Sequence, residues 1–208
     1  MTSSSLHGGT YLHLGAGSNP SHDYLLPPVL KELRARGIHR VFDLGCGSGY
    51  VDSVLTKEGI ETLGVDPSEN GIALANATYP NIRIFPGSAY DDLAGKWGKF
   101  PAVMSLEVVE HLYDPTHWAS TAFDLIEPNG IFIVSTPYHG WLKNVVIAAT
   151  GKFDAHFQPL RTHGHIKFWS NNTLRELLTR AGFGSIRFER VGRIPPLACS
   201  LMAFAERP

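Results

Sequence analysis

Apolar residues in this chain fall into short continuous runs, and between the runs they recur at helical spacing. The first run, Arg40 to Leu44, leads straight into Gly45-Cys-Gly-Ser-Gly49. Similar runs follow at Ile60 to Val65, Asn81 to Phe85, Ala102 to Leu106 and Ile131 to Ser135. Runs this short and this apolar predict buried strands. A helix is predicted from Pro27-Pro28, with Val29, Leu30 and Leu33 on one face and Gly37 as its stop. The next carries Val51, Val54 and Leu55 and ends at Gly59, and another spans Ser68 to Ala77. Asp114-Pro115 predicts a start, a capping side chain followed by proline in the first turn, and that helix ends before Pro128-Asn-Gly130. Strands alternating with helices imply βαβ units and a parallel sheet. After the fifth strand the alternation breaks. Residues 137–169, rich in histidine and aromatics, read as an inserted lid or substrate segment. A helix from Asn172 to Ala181 follows, then strands at Ile186 to Val191 and Leu197 to Glu206. Those two are too close for a helical crossover and should pair antiparallel. The expectation is an α/β fold in one domain over residues 1–208. It has a seven-stranded, mostly parallel sheet with helices on both faces, and an irregular N-terminal segment at 1–26.

The 208 residues include 43% hydrophobic and 18% charged side chains, a globular composition that excludes disorder, coiled coil and collagen. A net charge of −1 argues against a counterion-releasing nucleic-acid binder. With only Cys46 and Cys199 there is no disulfide framework, which suits a reducing, cytoplasmic setting. The first residues have neither a basic flank nor an apolar run, so no signal peptide is expected. The longest aliphatic run, Val145 to Ala149, is far short of the roughly 20 residues of a membrane span.

A glycine-rich turn between a first strand and a first helix lets backbone approach a ligand at the carboxyl edge of a sheet. Asp66, at the end of the second strand and 21 residues after Gly45, stands where a ribose diol would sit. A dinucleotide fold needs G-x-G-x-x-G beneath its pyrophosphate, but here the spacing is G-x-G-x-G and it follows Asp43. A carboxylate there would repel a pyrophosphate and attract an ammonium. S-adenosylmethionine carries an ammonium, a sulfonium and a ribose, with no phosphate. A second G-x-G lies within Leu12-His-Leu-Gly-Ala-Gly-Ser-Asn-Pro20, but it lacks a preceding acid and reads as a loop. Cys46 reads as a small residue filling the turn.

Glu107, Glu110 and His111 stand at i, i+3 and i+4, so on a helical turn all three would project to one side. Two carboxylates and an imidazole facing a pocket repel one another unless a cation lies between them. A divalent ion bound through oxygen and nitrogen would supply it, with a further ligand from Thr162-His-Gly-His165. The alternative is a site that holds no metal. His139 after strand five is a candidate for a polar pocket role, and His156 reads as a packed loop residue. Trp141 to Ala149 reads as core packing or, alternatively, as an amphipathic lid against a greasy acceptor.

The stretch Val41-Phe-Asp-Leu-Gly-Cys-Gly-Ser-Gly49 resembles the first motif of class I S-adenosylmethionine-dependent methyltransferases, and Gly64-Val-Asp-Pro67 resembles the second. Glu107-Val-Val-Glu-His111, Ser135-Thr-Pro, Trp141-Leu-Lys, Thr162-His163 before Lys167-Phe168, and Ala181-Gly-Phe183 are similar to the ubiquinone-biosynthesis O-methyltransferases. The N-terminal 25 residues lie outside that likeness. Small-RNA 3′-terminal 2′-O-methyltransferases share a metal-binding Glu-x-x-Glu-His, but their substrate demands a basic surface, which this composition lacks. The resemblance implies a Rossmann-like fold and cofactor contacts from Asp43, Gly45, Gly47, Asp66, Ser88 and Leu106. Ser88 stands where the family usually places an acid near the adenine, which is a departure. The metal ligands that the spacing suggests are Glu107, Glu110, His111 and His163, with Mg, Mn or Zn as the ion. His111 and His165 are the acid–base candidates. The expected function is O-methylation of a small catechol- or quinol-like hydroxyl, with no nucleic-acid partner and no membrane span, peripheral membrane contact staying open. The alternatives are a cofactor-binding protein without catalysis and a metal-independent methyltransferase of a natural product.

Overall fold

A computed structural model describes residues 13–157 and 159–208, so part of the expected N-terminal segment lies outside the described residues. The chain runs α1 (His22–Ala35), β1 (Arg40–Leu44), α2 (Tyr50–Lys57), β2 (Glu61–Asp66), α3 (Glu69–Thr78), β3 (Arg83–Pro86) and α4 (Leu93–Trp97). It continues through β4 (Phe100–Leu106), α5 (Pro115–Leu125), β5 (Ile126–Pro137), α6 (Trp141–Ala149), α7 (Phe153–Phe157), α8 (Asn171–Arg180), β6 (Gly184–Val191) and β7 (Ser200–Glu206). The sheet order is β3-β2-β1-β4-β5-β7-β6. β7 runs antiparallel to both β5 and β6, and the other pairings are parallel, so the mostly parallel sheet with an antiparallel C-terminal pair is found as expected.

The period-two alternation of the strands sorts the core into two layers. Val41, Met104, Ile131 and Ile133 face one side and pack with Leu25, Val29 and Leu33 of α1 and Leu55 of α2. Phe42, Val103, Phe132 and Val134 face the other, against Trp118 and Leu125 of α5 and Leu174 and Leu178 of α8. Strand order reverses between β1 and β4, which opens a crevice at their carboxyl ends, where ligands of such sheets bind. A buried relay holds the two ends side by side. Trp118 Nε1 donates to Ser105 Oγ at 3.2 Å, and Ser105 Oγ donates to the Leu44 carbonyl at 2.6 Å.

Three local expectations are corrected. α1 starts at His22, earlier than Pro27-Pro28, because Leu25, Leu26, Val29 and Leu33 form one buried face that outweighs the two donors lost at the prolines. Pro128-Asn-Gly130 lies within the span of β5, with Asn129 left-handed (φ 63°) and its N–H bonded to the Arg207 carbonyl at 2.9 Å. α4, capped by Asp92, was not foreseen: its five residues bury only Leu93 and carry no helical period.

Candidate active site

At the end of β1 the chain must turn without side chains. Gly45 has φ 101°, and a Cβ placed there would lie 2.5 Å from Val108 Cγ2. Gly47 has φ 54°, and its N–H donates to Asp66 Oδ2 at 2.9 Å. The Ser68 N–H donates to Asp66 Oδ1 at 2.8 Å, so one carboxylate ties the glycine turn to the start of α3. Burial raises the Asp66 pKa, and these two N–H groups pull it back down. Asp43 is buried at the same edge, its pKa pushed well above the usual carboxylate range by burial and then by Asp52. Cys46 is buried against Gly64, whose Cβ would lie 2.7 Å from the Cys46 Cβ, and burial with the nearby carboxylates raises its thiol pKa. That environment fits a space-filling residue and disfavours a thiolate.

Ser88 follows β3 on the same edge, where its hydroxyl accepts from the Tyr90 N–H at 3.2 Å and its own N–H reaches Asp91 Oδ2 at 2.7 Å. Leu106 ends β4 and is half-buried. Residues 13–20 are irregular, as the second G-x-G predicted, but they are not remote from the turn. His13 donates its N–H to Asn70 Oδ1 at 2.8 Å, and its ring lies over the turn, 3.1 Å from where a Gly47 Cβ would be. Nothing in the sequence marked His13.

The Glu-x-x-Glu-His segment is not a continuous helical turn. Glu107 takes a left-handed conformation (φ 56°), and a short 3₁₀ turn, Val109–His111, follows it. The two carboxylates therefore meet different partners. Glu107 accepts from Ser135 Oγ at 2.8 Å, and its surroundings also include Ser200 and Lys143. Glu110 points into the protein with 1% exposure; among the described residues no donor meets either oxygen in full hydrogen-bonding geometry, and the Thr136 hydroxyl is the side chain whose approach favours its charge. Burial first, and then the Glu107 charge, push the Glu110 pKa well up.

The lid brings histidines to this turn through backbone bonds. The Glu110 carbonyl accepts from the N–H groups of Ile166 at 2.9 Å and Lys167 at 3.1 Å. The result is a cluster of Glu110, His111 and His165, with one ligand atom from each lying within 4.8 Å of the others. His111 Nδ1 lies 3.2 Å from the Gly164 carbonyl, which only an N–H can satisfy, so Nε2 keeps its lone pair. That Nε2 lies 3.9 Å from Glu110 Oε1. Burial lowers the pKa of both rings, to about 4 at His165, so both are neutral at pH 7. An orphaned carboxylate and two neutral imidazoles fit a divalent cation of borderline softness. Of the four ligands the sequence suggested, Glu110 and His111 lie in this group, and Glu107 and His163 lie outside it. His165 takes the place expected for His163, whose own backbone is left-handed (φ 57°).

Beyond the cluster, His139 is 8% exposed, with Nδ1 3.3 Å from Asn144 Oδ1 and its ring edge-on to Phe168. His156 is exposed on α7, its ring 5.4 Å from that of His139, and is not a packed loop residue. α6 does not pack as core. Only Ile147 is buried there, while Trp141 is 76% exposed and Val145 53%. Among the described residues no helix is long and apolar enough to cross a membrane.

A family model described as a methyltransferase domain matches residues 20–186. The ubiquinone biosynthesis O-methyltransferase of Azorhizobium caulinodans is 32% identical over 148 residues, which are 69% of this chain and 58% of that protein. The Rhodopseudomonas palustris protein of the same name is 31% identical over 163 residues, 76% of this chain and 63% of its own length. The chain thus spans about three fifths of these relatives. Among solved structures, the methyltransferase domain of a bacterial Hen1 superposes with a TM-score of 0.69 at 22% identity, covering 90% of this chain and all of that one. Magnesium protoporphyrin IX methyltransferase from Synechocystis PCC 6803, with bound S-adenosylhomocysteine, gives 0.65 at 24% identity over 88% of this chain and 82% of its own. These structural likenesses establish the Rossmann-like fold.

Proposed function

The chain belongs to the methyltransferase domain family, the S-adenosylmethionine-dependent class whose two motifs it carries, and on that premise we propose that it methylates a hydroxyl of a small catechol- or quinol-like acceptor. The observation that carries this reading is the cluster of Glu110, His111 and His165 beside the β1–β4 crevice, distinct from the glycine turn. On the cofactor side, Asp66 would accept from the ribose diol and Asp43 would meet the ammonium, with Gly45 and Gly47 letting the backbone approach and Ser88 and Leu106 on the adenine side.

The sulfonium methyl is already activated. The chain's task is to align acceptor oxygen, methyl carbon and sulfur, and to make the acceptor anionic. As the oxygen–carbon bond forms, the carbon–sulfur bond breaks, and S-adenosylhomocysteine leaves as a neutral thioether. A divalent cation held by Glu110, His111 and His165 would supply a Lewis acid for adjacent acceptor oxygens and lower a hydroxyl pKa. In a metal-free site, His111, whose Nε2 keeps its lone pair, or His165 takes the acceptor proton. The exposed apolar side chains of α6, Trp141 and Val145, suit an acceptor with a greasy portion.

Methyl transfer from labelled S-adenosylmethionine to a panel of catechols and quinols tests the reading. Activity on a vicinal diol, lost on chelation and restored by Mg, Mn or Zn, is the expected result. Full activity of the chelated protein would remove the metal and leave the histidines as acid–base groups. No transfer to any hydroxyl acceptor, with transfer to an amine, would overturn the O-directed reading.

A further inference from the structure

Asp52 has no part in the function described above, yet it is among the most buried polar residues of the protein. It sits in the first turn of α2, directly after the glycine turn, with no exposed surface. Neither of its carboxyl oxygens meets a donor in hydrogen-bonding geometry among the described residues. The polar groups that act on it are the Asp43 carboxyl on β1, the hydroxyl of Thr62 on β2, itself 3% exposed, and its own backbone N–H.

Two carboxyls in contact inside a protein do not both ionise, because the charged forms lose their hydration and repel each other. One proton between them turns the repulsion into a hydrogen bond, and the pair titrates as a unit. The titratable groups acting on Asp43 from the surrounding elements are Asp52 from α2 and Asp66 from β2, and Cys46 of the turn feels both Asp43 and Asp52. His13 acts on Asp66. All but His13 are acids, so among the described residues no fixed cation acts on the pair, and both members are held above the usual carboxylate range.

We propose that Asp43 and Asp52 share one proton in the cofactor-free protein and that the cofactor's ammonium displaces it, so that cofactor binding and proton release are coupled. Asp52 is then a positioning residue: it acts on the ligand through Asp43. This rests on the reading of Asp43 as the ammonium's partner. The balance is simple: the ammonium enters with its charge intact, one proton leaves to solvent, and no covalent bond changes. By linkage, affinity must rise with pH wherever the free protein holds the extra proton, by up to about tenfold per pH unit for a full proton.

Calorimetric titration with S-adenosylhomocysteine, in buffers of different ionisation enthalpy between about pH 5.5 and about pH 8, reads this directly. The wild-type protein should release up to one proton and bind more tightly as pH rises. Asp52→Asn, which offers Asp43 an amide donor and no second charge, should release none and bind with a flat pH profile. His13→Gln should keep the release, since the imidazole is not its source. A wild-type protein that binds with no buffer dependence and a flat profile overturns the shared proton, and that result needs no variant to fold. Loss of the release in His13→Gln overturns it too. Asp43→Asn separates the two levels: unchanged affinity there contradicts the cofactor reading itself, whereas weakened affinity without proton release in the wild type contradicts only the coupling.

Discussion

At the β1–β2 side of the crevice the candidate groups lie close in sequence: Asp43 and Asp66 are 23 positions apart (66 − 43), joined by one βαβ unit. At the β4–β5 side, Glu110 and His165 are 55 positions apart (165 − 110), and backbone bonds from Ile166 and Lys167 to the Glu110 carbonyl bring them together. The first side is made by a turn that only glycine accommodates, between strands with fully buried neighbours. The second is made by a segment whose helices, α6 and α7, bury one side chain between them. A scaffold built from local units holds a ligand common to many relatives, while a loosely packed segment draped over it can change with the acceptor. The difference makes the two sides separable by mutation.

The largest expected effect is at the acceptor side. Glu110→Ala removes the buried carboxylate of the cluster, and bound divalent metal and methyl transfer should both fall by about 100-fold or more. Metal analysis and a transfer assay on the same preparation check it. At the cofactor side, Asp66→Ala should weaken S-adenosylhomocysteine binding by about 1–3 kcal/mol, the range for hydrogen bonds to a charged group, with metal content unchanged. Gly45→Ala sharpens the contrast through stability. With φ 101° and Val108 in the way, a Cβ should cost about 1–3 kcal/mol in denaturant melts.

Smaller effects follow from charge and exposure. The Asp52 pKa is pushed to about 6 from an ordinary 3.8, by burial first. The buried Asp43–Asp52 pair, held above the usual carboxylate range, supports the fold at low pH, where it is protonated, and loses that support as pH rises through the titration of the pair. Asp52→Asn should therefore stabilise the protein by on the order of 1 kcal/mol at pH 8, the gain vanishing toward pH 4, as thermal melts across that range would show. Trp141→Ala should change stability by no more than about 0.5 kcal/mol, because the side chain is 76% exposed. A larger loss would mean that α6 is part of the core after all.

The contrast also explains what the sequence made legible. Asp43, the glycine turn and Asp66 could be read because a strand, a turn and a strand are contiguous, and their chemistry follows from local backbone geometry. The seven strands and the antiparallel closing pair could be read for the same reason. The cluster of Glu110, His111 and His165 could be read only in part. A three- or four-residue spacing has meaning on a helix, but Glu107 is left-handed and sends its carboxylate to Ser135, and no pattern encodes that departure. Of the two histidines in Thr162-His-Gly-His165 the sequence suggests His163 as the ligand, but His163 is left-handed and it is His165 that joins the cluster. α1 was placed too late because proline is a strong local signal, while the burial of Leu25 and Leu26 is a tertiary one. Asp52 did leave a trace: an acid among Val51, Val54 and Leu55 on a buried helix face needs a partner.

Titrating S-adenosylhomocysteine into the protein before and after chelation tests most directly whether cofactor and acceptor chemistry occupy separate halves of one sheet edge. Affinities within about twofold of each other are expected, since Asp43 and Asp66 share no ligand with the Glu110 cluster, while methyl transfer is lost only in the chelated sample. A fall in cofactor affinity of about tenfold or more on chelation would contradict that separation, because metal and cofactor would then be parts of one site.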